Sequence, residues 1–117
     1  MNQRDWILSV DVGSSSVKAA VFDQEARLLA EKSFGYPLLQ PRPGWVEQEA
    51  GRVLEAFHLA VKHVLLEVEK KPRVLVLSTA MHSLLGIGRD EQPVTNFITW
   101  ADQRAEALAQ TGLVQKK

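Results

Sequence analysis

One polar stretch near the N-terminus has residue types and spacing suited to chemistry, Asp11-Val12-Gly13-Ser14-Ser15-Ser16. It lies between two apolar runs, which predicts the tight turn of a β-hairpin. Backbone N–H groups in such a turn can form an anion-binding nest, and a glycine lets a phosphate approach closely. A carboxylate repels a bare phosphate, so Asp11 implies a cation between them. Mg²⁺ bound by a carboxylate and substrate phosphates is the usual arrangement.

The same stretch has a plainer interpretation, a serine-rich turn that follows a strand ending in aspartate. A motif this short arises by chance in unrelated proteins. Its residues alone leave both interpretations open, and the surrounding elements must decide between them.

Apolar runs predict the elements that position this turn. Three strands are expected at residues 7–10, 17–23 and 28–34, joined as an antiparallel meander. A proline-rich loop follows, in which Trp45 is expected to anchor the loop by packing. The next element is a helix, because apolar residues recur at helical spacing from Val53 to Val68 on a face that includes Leu54 and Leu65.

The rest of the chain is predicted to contain three more strands and a second helix. The strands are expected at residues 74–79, 84–88 and 97–100. Asp102 is placed to cap the second helix, and Gly112 to end it. The order βββαβββα predicts an α/β fold with the first strand in the centre of the sheet.

This order also brings two distant segments together. A strand that follows a crossover helix usually runs parallel to an earlier strand. If residues 74–79 lie beside the first strand, both strands end where ligands collect in open α/β sheets. His82 would then approach Asp11.

Composition narrows the class of protein. The chain has 117 residues, 14 basic and 14 acidic side chains and no cysteine. Without a basic excess, no nucleic-acid surface is expected. No apolar run is long enough to span a membrane, and the N-terminus lacks the apolar segment of a secretory signal. We therefore expect a cytoplasmic protein with no membrane partner.

Four motifs in order resemble the N-terminal part of the FGGY carbohydrate kinases. A D-x-G turn alone is also found in actin-like ATPases, hexokinases and acetate kinases, whereas the combination is far more specific. The sequences M-H-S and W-A-D-Q-R are most similar to the corresponding motifs of gluconate kinases, and next to those of xylulose kinases. The motifs are Asp11-Val12-Gly13-Ser14-Ser15-Ser16-Val17-Lys18, Pro43-Gly44-Trp45-Val46-Glu47-Gln48, Met81-His82-Ser83 and Trp100-Ala101-Asp102-Gln103-Arg104.

The resemblance implies an actin-like, ribonuclease-H-like fold with a βββαβ core. It implies transfer of the γ-phosphoryl group of ATP to a hydroxyl of a sugar or sugar acid, gluconate first and xylulose as the alternative. By position, Asp11 would help to hold Mg²⁺ and the phosphates of ATP. The phosphate turn would be formed by Gly13, Ser14, Ser15 and Ser16.

The resemblance also assigns a sugar site. Met81 and His82 would touch the sugar, and Asp102 and Arg104 would line or brace its pocket. Each has an ordinary alternative: His82 as a structural histidine, Asp102 as a helix cap, and Arg104 in a surface ion pair.

Other parts of an FGGY kinase are absent from this sequence. In the family, the catalytic aspartate and the glycine-rich adenosine site lie further along the chain. We therefore expect residues 1–117 to be a partial N-terminal domain that is inactive alone and self-associates through surface exposed by truncation. A non-catalytic actin-like nucleotide-binding module, or a remnant without activity, stays open.

Overall fold

A computed structural model describes residues 5–112 and divides them into two compact units. The first unit contains residues 5–37 and 51–80, and the second contains residues 38–50 and 81–112. The elements in chain order are β1 (Ile7–Val12), β2 (Ser16–Phe22), β3 (Leu28–Gly35), β4 (Glu47–Gln48), α1 (Ala50–Glu67), β5 (Val74–Thr79), β6 (Phe97–Ile98) and α2 (Glu106–Gln110).

The first unit is built on a four-stranded sheet in the order β3-β2-β1-β5. β1, β2 and β3 form the predicted antiparallel meander. β5 pairs with β1 in parallel, with Val12 opposite Thr79, after the crossover through α1. The α/β order, the central first strand and the parallel return are therefore confirmed.

Helix α1 contributes small side chains to the core of this unit. Ala56, Ala60 and Val64 are buried, in one cluster with Val10 and Val17 of the sheet. The four-residue spacing of these three positions places them on one helical face. Leu54 and Leu65, which the sequence predicted on the buried face, are exposed. Alanine permits closer approach of helix and sheet than leucine does, which explains the difference.

The second unit has little regular structure. β4 and β6 form a two-stranded antiparallel sheet of two residues each. The predicted strand at residues 84–88 is wrong, since Leu84 and Ile87 make only isolated bridges. Between them, Gly86 donates its N–H to the Thr95 hydroxyl rather than to a strand partner.

Helix α2 is shorter than predicted and does not begin at Asp102. It starts after Ala105, which makes no side-chain capping bond. The predicted cap is wrong because the Asp102 carboxylate accepts hydrogen bonds from Val46 and Arg104 instead. The predicted end is correct, since Gly112 follows the helix with φ of +72°, the left-handed geometry that favours glycine.

The core can be tested with one matched pair of valines. Val10→Ala removes two methyl groups at a site with no solvent exposure. We expect it to lower the free energy of unfolding by about 2 kcal/mol, because apolar transfer energy is lost and a cavity remains. The measurement is urea unfolding, and the control is Val94→Ala at a side chain that is 67% exposed. Equal effects of the two substitutions would contradict this account of the core.

Candidate functional site

The predicted phosphate turn is the connection between β1 and β2. The Gly13 N–H donates to the Ser16 carbonyl oxygen at 2.9 Å and closes the turn. A β-carbon at Gly13 would lie 3.3 Å from that same oxygen, so the turn leaves little room for a larger residue. Asp11, Ser14 and Ser15 are exposed around it. The turn therefore presents a carboxylate and two serines to solvent.

Tyr36 fixes the turn from the first unit. Its hydroxyl donates to the Gly13 carbonyl oxygen, with the Ser16 carbonyl oxygen as a second acceptor at 3.1 Å. Its backbone N–H donates to the Ser15 carbonyl oxygen at 3.0 Å. Three carbonyl oxygens that would repel a phosphate are thus bonded within the protein. Tyr36 follows β3, where the sequence predicted a loop, and no local pattern revealed this role.

Asp11 is close enough to Tyr36 to affect its ionisation. Burial raises the pKa of the Tyr36 phenol, and the negative charge of Asp11 raises it further. Asp11 lies directly opposite Lys18 in the sheet. The Lys18 ammonium forms an ion pair with Glu31, with 3.9 Å between Nζ and Oε1.

The residues around Asp11 fit a magnesium ion only if Asp11 is the one protein ligand of that ion. Within residues 5–112, no group of three His, Asp or Glu side chains is arranged to hold a metal. One carboxylate together with substrate phosphates and water is a usual way to bind Mg²⁺. Asp11 would therefore be a single protein ligand to an ion held mainly by ATP phosphates.

Met81 and His82 follow β5 and belong to the second unit. Met81 is 71% exposed, and His82 is also exposed. The backbone of His82 has φ of +60°, an uncommon conformation for a residue other than glycine. The approach of His82 to Asp11 in the first unit stays a prediction.

Asp102 and Arg104 are brought together by hydrogen bonds on both carboxylate oxygens. Oδ1 of Asp102 accepts from the backbone N–H and the Nε of Arg104, both at 2.9 Å. Oδ2 accepts from Nη2 of Arg104 and from the Val46 N–H, both at 2.8 Å. The Asp102 side chain is only 3% exposed. Its geometry is that of a brace between residues 102–104 and the loop at Val46.

Two residues missed by the sequence-based assignment complete this cluster. Nη2 of Arg104 also lies 2.5 Å from Oε2 of Glu47, whose Oε1 accepts from Asn96 at 3.0 Å. The Arg104 guanidinium stacks over the Trp45 ring at 3.8 Å from its centroid. The sequence contained a signal for both residues, because Trp45 and Glu47 belong to the P-G-W-V-E-Q motif. The expected packing role of Trp45 is met by a cation–π contact.

The charges in this cluster support one another. Hydrogen bonding to Arg104 holds the pKa of the Asp102 carboxyl well below its usual range. The pKa of Glu47 is lowered by hydrogen bonds from Arg104 and then Asn96. The hydrogen bonds of Arg104 to Asp102 and then to Glu47 raise the pKa of Arg104. All three groups are therefore ionised at neutral pH, and the cluster of one guanidinium and two carboxylates has a net charge of −1.

Comparison with known proteins identifies the family. Residues 6–114 match the N-terminal domain of the FGGY family of carbohydrate kinases, and the chain belongs to this family. It is 33% identical over 105 residues to a gluconokinase from Bacillus subtilis. That alignment covers 89% of this chain and 20% of the Bacillus enzyme, so the chain spans about a fifth of that relative's length.

Solved structures agree with this assignment. Gluconate kinase from Lactobacillus acidophilus superposes with a TM-score of 0.90 and 30% identity, covering 97% of this chain and 23% of that enzyme. A ligand-bound xylulose kinase from the same organism gives a TM-score of 0.89 and 31% identity, covering 95% of this chain and 23% of that enzyme. The fold is the actin-like fold of sugar kinases, as the sequence predicted.

The site makes a direct prediction about ionisation of Tyr36, the only tyrosine in the chain. Its pKa is raised in the folded state, so the folded chain holds the phenolic proton more tightly than the unfolded chain. Stability from this group is complete below the ordinary pKa of about 10 and is lost as pH rises above it. Phenolate absorbance should therefore appear at higher pH in the folded chain than in urea.

Asp11 variants separate the two causes of this shift. Asp11→Asn should bring the folded-state titration part of the way back, because the negative charge is removed while the burial remains. Asp90→Asn, at an exposed turn, is the matched control and should leave it unchanged. A titration unaffected by Asp11→Asn would contradict the proximity of the two side chains.

The Arg104 cluster predicts acid sensitivity of the opposite sign. The pKa values of Asp102 and Glu47 are lowered by folding, so their contribution is present above about pH 4 and is lost as pH falls. Arg104→Gln removes the main cause. The difference in melting temperature between the wild type and this variant should be largest near neutral pH and shrink toward about pH 2.

A suitable control for this test is Arg89→Gln, at an exposed position. It should change the melting temperature little at any pH, since surface charges contribute little. A difference for Arg104→Gln that stays constant from about pH 7 to about pH 2 would show that the carboxylates do not depend on the guanidinium.

Proposed function

We propose that this chain is the N-terminal part of an ATP-dependent kinase that phosphorylates a hydroxyl of a sugar or sugar acid, with gluconate as the substrate. The observation that carries the proposal is the turn between β1 and β2, closed by Gly13 and bonded through its carbonyl oxygens to Tyr36. In this role, Gly13, Ser14, Ser15 and Ser16 contact the phosphates of ATP. Asp11 contributes one ligand to Mg²⁺.

Phosphoryl transfer suits a site of this kind. Its transition state requires positioning and neutralisation of charge more than covalent help from the protein. Bound Mg²⁺ would supply positive charge at the phosphate oxygens. The turn supplies a backbone whose carbonyl oxygens are directed to Tyr36, so that the approaching phosphate meets less repulsion. No general base is assigned within this chain, and we place it in sequence beyond Lys117.

We assign contact with the sugar to Met81 and His82, and structural support of the sugar site to Asp102 and Arg104. Met81 and His82 are exposed and lie in the second unit with the brace. Asp102 is almost fully buried and makes four hydrogen bonds, so it holds the pocket rather than lining it. The net negative charge of the cluster favours hydroxyl groups nearby and directs the carboxylate of a sugar acid away from it.

We choose gluconate as the first candidate substrate because the chain is 33% identical to the Bacillus gluconokinase and carries the motifs M-H-S and W-A-D-Q-R. Xylulose is the second candidate, since identity to the ligand-bound xylulose kinase is 31%. A cytoplasmic location stays a prediction. Among residues 5–112, no helix is long and apolar enough to cross a membrane.

Backbone amide NMR of the chain tests both sites. ATP with Mg²⁺ should shift the amides of Gly13 to Ser16, and Asp11→Asn should abolish the part of the shift that depends on Mg²⁺. Asp90→Asn, at an exposed aspartate in another turn, should leave the Mg²⁺-dependent shift unchanged. Absence of any Mg²⁺-dependent shift in the turn would reject the phosphate role.

The same experiment can rank substrates. Gluconate should shift His82 and its neighbours at lower concentration than xylulose or glycerol does. The 117-residue chain should not convert ATP and sugar to ADP and sugar phosphate, because the base is assigned to sequence beyond it. Measurable turnover by the purified chain would overturn that assignment.

A further inference from the structure

The turn between β1 and β2 lacks one bond of an ordinary hairpin. Gly13 and Ser16 close this turn, and residues that face each other in such a pair normally exchange two N–H···O bonds. Among the backbone bonds of the described residues, the Gly13 N–H donates to the Ser16 carbonyl oxygen, but the Ser16 N–H does not donate back to Gly13. The Ser16 N–H is therefore without its ordinary acceptor.

The Tyr36 hydroxyl accounts for the missing bond. It donates to the Gly13 carbonyl oxygen, which would accept from the Ser16 N–H in an ordinary hairpin. A carbonyl oxygen has two lone pairs, so one bond from a phenol does not by itself exclude a second donor. The direction of the Gly13 carbonyl group is what separates it from the Ser16 N–H, and the Tyr36 hydroxyl is the group to which that carbonyl is bonded.

The backbone of the turn also differs from that of a usual hairpin. Two-residue hairpin loops favour type I′ and II′ turns, which require positive φ at the first central residue. The described residues with positive φ all lie elsewhere, so Ser14 and Ser15 adopt neither type. Without that geometry, the turn depends on contacts from outside it, and Tyr36 supplies them through its hydroxyl and its backbone N–H.

We propose that Tyr36 is a positioning residue for nucleotide: by holding the Gly13 carbonyl oxygen, it keeps the Ser16 N–H available to a phosphate oxygen of ATP. Backbone N–H groups of a turn can bind an anion when the protein itself does not use them. Tyr36 is buried, so it acts through the backbone and not by contact with ATP. The inference rests on the proposed function, since it requires a phosphate at this turn.

Tyr36→Phe tests the hydroxyl, because it keeps the ring and the backbone N–H that donates to Ser15. The dissociation constant of ATP with Mg²⁺, measured from the amide shifts of the turn, should rise about threefold to tenfold, as expected for one hydrogen bond. The control is Ser33→Ala, which removes another hydroxyl that donates from β3 to a β2 carbonyl oxygen, that of Val17, at 3.2 Å. It should leave the constant unchanged.

Hydrogen exchange of the Ser16 amide gives a readout that a purely structural role would not change. In the wild type, this amide should exchange fast without nucleotide and become protected when ATP and Mg²⁺ are saturating. In Tyr36→Phe, the released Gly13 carbonyl can accept from Ser16, so the amide should be protected already and gain little from nucleotide. Tyr36→Phe should also lower the free energy of unfolding, because a buried hydrogen bond is lost.

A label at Tyr36 gives a test that does not require Tyr36→Phe to fold. Tyr36 is the only tyrosine, so 3-fluorotyrosine marks this site alone and retains the hydroxyl. Its fluorine resonance should move with the same midpoint as the turn amides when ATP and Mg²⁺ are added.

The outcomes separate this inference from the proposed function. If the turn amides of the wild type do not respond to ATP with Mg²⁺, the proposed function is rejected and this inference with it. If they respond but Tyr36→Phe binds ATP as tightly as the wild type, only the positioning role is rejected. A fluorine resonance that stays fixed while the turn amides move would reject that role as well.

Discussion

The first unit depends on β1 being hydrogen-bonded on both sides. Its residues pair with β2 in one direction and with β5 in the other, and Val10 within it has no exposed surface. A strand held in this way cannot shift its register without exposing its apolar side chains. The end of β1 is therefore fixed, and so is Asp11, which sits between Lys18 and Ser78. Tyr36 then fixes the turn that follows.

The arrangement of the second unit is specified by a cluster of charged groups instead of by a large sheet. Its two strands have two residues each, so backbone pairing alone holds little of it together. Arg104 connects residues 102–104 to Glu47 and Trp45 through hydrogen bonds and a ring contact. Buried ion pairs contribute little net stability, but loss of one partner leaves a charge without compensation. Such a cluster therefore specifies one arrangement of the loops.

Much of the fold could be predicted, because it is determined by local patterns. The meander and the crossover helix follow from local apolar runs, and the parallel return of β5 to β1 follows from the rule for strands joined by a helix. The apolar pattern of α1 predicted its buried face in part. Val64 is buried, and four other predicted residues pack against the core: Val53, Phe57, Val61 and Val68. The buried residues Ala56 and Ala60 were missed, because the pattern was read from large apolar side chains. The prediction of a strand at residues 84–88 was also wrong. An apolar run that contains glycines does not show whether a partner strand exists.

The site was predictable to the extent that motifs mark it. Asp11 and the glycine of the turn were found from residue types alone, whereas Tyr36 was not, because its three contacts lie about twenty residues away in sequence. Asp102 was assigned as a helix cap because capping is a local rule. One of its actual partners, Val46, is 56 positions away, and only the fold brings that N–H to the carboxylate.

The turn between β1 and β2 and the Arg104 cluster are held in place by the same kind of interaction. In each, the polar groups that hold a loop are bonded within the protein: carbonyl oxygens to Tyr36 in the turn, and carboxylates to Arg104 in the second unit. A group that is bonded internally has less capacity to bind a ligand. Asp11 and His82 are exposed, and in the proposed function they are the residues that contact ligand. If that proposal is right, substitutions at Tyr36 or Arg104 should affect stability, and substitutions at Asp11 or His82 should affect binding.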